Sequence, residues 1–313
     1  MVKEKRSIII AGPTGVGKTD LALLLAKKVD AEIINADVGQ FYKPLIIGTA
    51  KPDWKSFIIP HHLFDVLDEP LNFTVVSFRK KVEVLINEIK SRGKVPIIVG
   101  GSGFYLNSLF FPPQKESIIE RLAHNSEIPT IDLWEKLNSI DSQRASQINE
   151  NDRYRIERAL DIWYGTGVLP STYTPTFNAL DDAYVLFLTR TIDDLYKRID
   201  DRVKIMIQCE WLDEVENLSS DWHQFLLQKK LIGYDDIIRY LDNQINSIEE
   251  LIALIQQKTR NYAKRQLTFN RMLTKKFEEH RNAVYTEWIN LTQNDYTVVA
   301  EQVYQKLKGR EDV

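Results

Sequence analysis

Gly12-Pro13-Thr14-Gly15-Val16-Gly17-Lys18-Thr19 follows the pattern G-x-x-x-x-G-K-[ST], the spacing of a loop whose backbone N–H groups cradle phosphates. Lys18 adds a mobile cation, and the Thr19 hydroxyl is a candidate Mg²⁺ ligand. The occupant is open at this level. A nucleoside triphosphate such as ATP is the default, and any diphosphate fits the same cradle. Asp37 opens the segment Asp37-Val38-Gly39-Gln40-Phe41-Tyr42. A carboxylate there could hold a metal ion or remove a proton, or simply cap a turn. Gly100-Gly101-Ser102-Gly103 lets a backbone or flat ligand approach closely. Gly48-Thr49-Ala50-Lys51-Pro52 offers a hydroxyl and a cation in a loop, and the adjacent His61-His62 reads as hydrogen-bonding rather than metal-binding. Arg198 and Arg202 lie one helical turn apart, and either could stabilise departing charge over the phosphate loop.

These residues need a frame. Ser7-Ile8-Ile9-Ile10-Ala11 is a short β-branched run of the kind a buried parallel strand requires, and Leu21, Leu24, Leu25 and Val29 recur at helical spacing after the loop. Ala31–Ala36 and Val95–Val99 read as further strands, and Val75–Ile89 as the helix between them. Repeated βα units predict an α/β protein with a parallel sheet and ligands at the carboxyl ends of its strands. From Phe111-Pro112-Pro113 to about Tyr173-Thr174-Pro175 the pattern is helical without strands, which predicts a helical insertion over 113–180 within a core of 1–112 and 181–313. Ala183–Leu188 returns as a strand, and the chain from Asp193 to about Arg271 reads as helix.

The 313 residues are 43% hydrophobic and 27% charged, with net charge −3, so the class is globular and any nucleic-acid surface must be local. Two basic stretches qualify. Asn151-Asp152-Arg153-Tyr154-Arg155-Ile156-Glu157-Arg158 sets three arginines at a helix start. Lys258, Arg260, Lys264, Arg265, Arg271, Lys275, Lys276 and Arg281 outweigh Glu278 and Glu279, with Tyr262, Phe269 and Phe277 between them. The bland reading of each is a solvated helix face. Cys209 is the only cysteine; a buried structural thiol is expected, in a reducing cytoplasm. No apolar run is long enough for a membrane span, and Met1–Arg6 leads straight into the first strand with no signal peptide expected.

Taken together, the motifs from Gly12 to Thr19, Asp37 to Tyr42, Gly48 to Pro52, Pro60 to His62, Gly100 to Tyr105, Asn151 to Arg153 and Ala263 to Phe269 resemble the bacterial tRNA dimethylallyltransferase (tRNA isopentenyltransferase) family over nearly the whole chain. The resemblance implies a P-loop NTPase-like core and transfer of a dimethylallyl group from dimethylallyl diphosphate to N6 of adenosine 37 in tRNA. The loop Gly12–Thr19 would then grip diphosphate instead of ATP, with Mg²⁺ on Thr19. Asp37 would be the general base, and Arg202 a diphosphate contact. RNA contacts would fall on Asp37, Val38, Gly39, Gln40, Ser102, Tyr154, Arg155, Ile156, Glu157, Arg158, Lys230, Gly233, Tyr234, Lys264, Arg265, Gln266 and Arg271. The implied partners are a tRNA anticodon stem-loop and dimethylallyl diphosphate, with a monomeric cytoplasmic chain.

The chain departs from the family pattern in places. Val38 stands where Ser is common, Asp235 follows Gly233-Tyr234 where Arg is frequent, and Phe269 replaces the usual Trp. A carboxylate at Asp235 is expected to weaken a phosphate contact. The competing readings are a P-loop kinase of a small metabolite, a prenyltransferase of free adenine nucleotides, and an RNA-binding relative without catalysis.

Overall fold

The computed structural model describes residues 6–111, 128–173, 180, 183–280 and 284–311. The borders drawn at Pro112-Pro113 and Thr174-Pro175, the leader Met1–Lys5, and Arg281 lie outside them.

Six strands form one parallel sheet in the order β3-β2-β4-β1-β5-β6. They are β1 (Ser7–Ala11), β2 (Ala31–Asn35), β3 (His61–His62), β4 (Val95–Gly100), β5 (Ala183–Thr189) and β6 (Val284–Asn290). β1 is central and buried along its whole length, as its unbroken β-branched run requires. Its register decides where the chemistry sits. Ala11 pairs with Gly100 of β4 and Phe187 of β5, while Asn35 of β2 pairs with Val99. The loops after β1, β2 and β4 therefore leave the sheet side by side, carrying Gly12–Lys18, Asp37 and Gly101-Ser102.

Helix α1 (Lys18–Val29) buries Leu21 and Leu25 against the sheet, and α12 (Tyr296–Glu311) adds Val299 and Val303 to the same core. Between β5 and β6 the chain forms α7 (Ile192–Gln208), α8 (Trp211–Glu216), α9 (Ser220–Lys229), α10 (Tyr234–Leu241) and the long α11 (Ile248–His280), and Leu195 and Ile199 of α7 with Ala263 and Leu267 of α11 join that core. Trp211, Leu226, Tyr234, Leu251 and Ile255 share a second core with Tyr42 and Leu45. The remaining named helices are α2 (Val75–Ser91), α3 (Gly103–Phe110), α4 (Thr130–Ile140), α5 (Ser142–Ala145) and α6 (Arg153–Thr166). Two compact units result: Met1–Asn107 with Leu180–Val313, and Ser108–Ala179. The second has its own small core of Leu133, Leu137, Ala145, Ile148, Ile156 and Leu160.

The helical reading of Asp193 to about Arg271 matches α7 to α11; it stopped short of β6, which pairs with β5 from Ala183↔Val284 to Thr189↔Asn290. It is an edge strand with alternating half-buried positions and carries Glu287 and Asn290, so no apolar run marks it. Cys209 is exposed just past the end of α7, not a buried thiol.

One side chain ties the helical layer to the phosphate loop. Gln266 of α11, 5% exposed, accepts from the Thr14 amide at 2.8 Å and donates to the Gly101 carbonyl at 2.8 Å. Gln266→Ala removes both bonds and leaves two backbone groups without partners, which should destabilise the fold by roughly 1–3 kcal/mol. Gln266→Glu keeps the acceptor for Thr14 but sets a carboxylate against the Gly101 carbonyl, and should cost at least as much. Urea unfolding curves of the three proteins check this; equal midpoints would refute the clamp.

Candidate active site

Gly15 and Gly17 have φ of 78° and 105°, left-handed conformations that glycine adopts without strain and that fold the loop back on itself. The loop carbonyls face cations. Lys18 Nζ donates to Gly12 O at 3.1 Å and Pro13 O at 3.0 Å, and Arg198 Nε donates to Gly15 O at 2.8 Å. Arg190, 8% exposed, gives Nε to Val16 O at 2.9 Å, pairs with Asp194 at 2.7 Å and donates to the Tyr296 hydroxyl at 2.7 Å. With the carbonyls so engaged, Gly17, Lys18 and Thr19 supply the unpartnered first amides of α1, at the positive end of its dipole. Thr14 and Val16 differ from the sequence reading. The Thr14 amide is taken by Gln266, and Val16 is fully buried with its amide toward Pro13 O; both shape the cradle rather than line it with donors.

Asp37 follows β2 and is held on both sides. Its own amide donates to Asn35 Oδ1 at 2.9 Å, its Oδ1 accepts from the Gly39 amide at 3.2 Å, and the next amide, Val38, donates to Ser102 Oγ at 3.2 Å. It therefore caps a turn and still presents a carboxylate to the cleft. Burial pushes its pKa above the ordinary value, opposed by the charges of Lys18 and Arg202. Burial also lowers Lys18, to about 8, opposed by Asp37 and reinforced by Arg202. Arg202 is lowered by burial too, with Asp37 opposing. These three charges sit within each other's fields. Tyr262 of α11 is pushed up to about 12 by burial and by the Asp37 charge, and its hydroxyl hydrogen-bonds Ser102 and Gln266.

Two cavities meet at this point. One, about 520 Å³, is polar and lined by Gly15, Gly17, Lys18, Thr19, Asp20, Arg198 and Asp201. The other, about 470 Å³, has apolar walls from Ile199, Val203, Met206, Trp211 and Ile255. Thr14, Asp37, Thr49, Ala50 and Arg202 line both. An anion in the first and a flat or aliphatic group in the second would meet at Asp37.

The other candidates divide by what their side chains already touch. Val38, Gly39, Ser102, Lys230 and Arg265 line the apolar cavity. Gln40 lines the polar one and donates to Thr49 O at 3.1 Å and Ala50 O at 3.3 Å. The Lys51 ammonium, considered as a loop cation, is held by Tyr42 O and Asp65. His61 and His62 hydrogen-bond the Ile59 carbonyl and Glu32. Within the run from Lys258, the first cations face inward: Lys258 pairs with Asp235 at 3.2 Å and Asp236 at 2.5 Å, and Arg260 with Asp200 at 2.6 Å. Lys264, Arg265 and Arg271 are exposed. Asp235, expected to oppose a phosphate, is 2% exposed and bound to Lys258, so it projects no carboxylate at a ligand. In the smaller unit Arg155 and Arg158 stand beside Asp152 and Asp161, at 3.3 Å and 3.7 Å, and Tyr154 is exposed.

Several residues assigned to RNA by resemblance are framework. Ile156 is fully buried in the small unit's core, and Glu157, 8% exposed, pairs with Arg153 at 2.6 Å. Gln266 is the clamp described above. Tyr234 borders the cavity but is fully buried, and its hydroxyl donates to Glu214 at 2.7 Å. The sequence reading passed over Glu214 and Trp211. Glu214 also accepts from the Ile46 and Ile47 amides at 3.0 and 2.7 Å, which fixes the start of the Gly48–Ala50 wall. Trp211 packs so closely on Gly48 and Gly233 that neither has room for a Cβ. Those two glycines were the available signal.

The chain matches the model of the IPP transferase family over residues 40–273. The tRNA dimethylallyltransferase of Alkaliphilus metalliredigens is 34% identical over 98% of both chains, and that of Alkaliphilus oremlandii 36% identical over the same share. A solved eukaryotic dimethylallyltransferase acting on tRNA superposes with a TM-score of 0.76 at 30% identity, covering 92% of this chain and 74% of the other. The tRNA isopentenylpyrophosphate transferase of Staphylococcus epidermidis gives 0.63 at 30% identity, with 97% and 99% covered. Its parallel sheet has the P-loop NTPase-like fold of the tRNA isopentenyltransferase structures it matches, and the chain belongs to the IPP transferase family.

Proposed function

We propose that this transferase moves a dimethylallyl group from dimethylallyl diphosphate to N6 of an adenosine in a tRNA anticodon loop, adenosine 37, releasing diphosphate. The observation that carries the reading is the junction of a polar, cation-lined cleft with an apolar cavity at one carboxylate, Asp37. The diphosphate would lie along Gly15–Thr19 with Lys18, Arg198 and Arg202 around it. The prenyl chain and the adenine would meet in the apolar cavity.

The N6 lone pair attacks the allylic carbon while its C–O bond breaks, and the electron pair leaves with the diphosphate. Amides and cations already aimed at that anion stabilise the charge as it grows. The exocyclic amine is a weak nucleophile, so alignment supplies much of the rate. Asp37 receives the N6 proton. The base must leave its stack to reach it.

Thr19 opens the polar cleft with Asp20 and Asp201 beside it. Among the described residues no group of three or more His, Cys, Asp or Glu side chains gathers around a metal position. Hydroxyl and carboxylate oxygens suit Mg²⁺, which characteristically takes only one or two protein ligands beside substrate phosphates, so the donor set fits a Mg²⁺ carried with the diphosphate on Thr19. When bound, it would neutralise charge on the leaving group. No helix among the described residues is long and apolar enough to cross a membrane, and we place the reaction in the cytoplasm, where tRNA is found.

The test offers labelled dimethylallyl diphosphate and Mg²⁺ with an anticodon stem-loop, with AMP, or with neither plus labelled ATP. Label in the stem-loop is expected. Transfer only to AMP, or phosphate transfer from ATP without prenylation, would overturn the reading. The shifted groups also set a pH profile. Asp37 must be ionised, and its pKa is raised, so kcat/KM should rise with pH through a value above 3.8. Lys18 must be charged, and its pKa is about 8 in the free enzyme, so kcat/KM should fall above it. Bound diphosphate restores the Lys18 charge, so kcat at saturation should lose that alkaline limb. Identical alkaline limbs in both parameters would contradict the Lys18 assignment.

A further inference from the structure

We propose that Phe104 is a stacking platform for the nucleobase next to the target adenine. This rests on the reading of RNA as the acceptor and adds a residue that the resemblance did not assign. Phe104 lies in the first turn of α3 and is 64% exposed, while Ser102 and Tyr105 around it are 9% exposed. It nevertheless lines the apolar cavity together with Asp37, Ser102 and Tyr262. A side chain both exposed and cavity-lining belongs to the mouth. The other exposed lining residues are the cations Lys230 and Arg265. The floor is the opposite in character, with Trp211 at 2%, Tyr234 at 0% and Ile255 at 1%.

The mouth is also held in place. The ring of Phe269 packs against Gly103, leaving no room there for a Cβ, so the turn that presents Phe104 is set by α11. Arg265 in turn lies over the Tyr262 ring at 5.7 Å. An adenine reaching Asp37 must enter through this mouth, which leaves its chain neighbours at the lip. An exposed aromatic face at a mouth that also carries two cations is the combination that holds a base by stacking and its phosphates by charge. Phe104 supports no core at that exposure, so its ring is free for such a contact.

The test compares Phe104→Ala, Phe104→Leu, Phe104→Tyr and Phe104→Trp on the full-length enzyme. Loss of one stacked base should raise the stem-loop KM about tenfold in the alanine and leucine variants. The KM for dimethylallyl diphosphate and kcat at saturating RNA should be unchanged, and Tyr and Trp should restore the wild-type KM. Stem-loops carrying 2-aminopurine on one or the other side of the target adenine give a readout that needs no turnover. Quenching by the wild-type protein at one of these positions, lost in Phe104→Ala, is expected. Unchanged stem-loop KM and quenching in Phe104→Ala would overturn the proposal, as would full rescue by leucine, which would mean an apolar wedge instead of stacking. Transfer to the stem-loop by wild-type enzyme tests the parent reading separately, so a failed platform and a failed acceptor assignment give different results.

Discussion

The site depends on keeping Asp37 ionised in a place that penalises its charge. Burial raises the pKa of Asp37 and lowers that of Lys18, disfavouring both charges. Each opposes the other's shift, with Arg202 as the third charge. A carboxylate is thus held within the field of two cations, as the proposed proton transfer beside a departing diphosphate requires. The placement follows from backbone register, because parallel pairing of β1, β2 and β4 sets their carboxyl ends level. A slip of one residue would turn the side chains to the other face and separate the carboxylate from the loop.

The helical layer completes what the sheet begins. α7 delivers Arg198 and Arg202, α11 delivers Gln266 and Tyr262, and α8 with α10 delivers Trp211 and the apolar floor. A bare phosphate loop would bind anions in open solvent. Walled by these helices, it adjoins a cavity with apolar walls, where the proposed reaction would bring the allylic carbon and the amine together. Arg190, just after β5, binds the Val16 carbonyl and the Tyr296 hydroxyl, so the start of α12 also belongs to the frame of the site.

What the sequence displayed was local. The phosphate loop, the buried strands β1 and β4 and the turn-capping Asp37 are legible because their patterns fall within a few residues. Assignments that depend on distant partners were not. Asp235 read as an exposed adverse charge until α11 placed Lys258 against it. Tyr234, Ile156 and Gln266 sit inside motifs whose neighbours can touch a ligand, yet their own side chains face protein. A motif marks a stretch of chain, whereas helical periodicity decides which of its residues point outward. β6 lacked any apolar run because one of its sides is an edge. Val38 in place of the usual Ser leaves the carboxylate held by Gly39 and by Ser102 acting on the next amide, so Asp37 is positioned without that hydroxyl.

The central claim is that Asp37 takes the proton from the acceptor amine and does not serve to hold RNA. Single-turnover transfer from labelled dimethylallyl diphosphate to an anticodon stem-loop, measured for wild type and Asp37→Ala beside the stem-loop Kd, addresses it directly. The account predicts a transfer rate lower by about 10²–10⁴-fold with the Kd nearly unchanged. A weakened Kd with an unchanged transfer rate would contradict it.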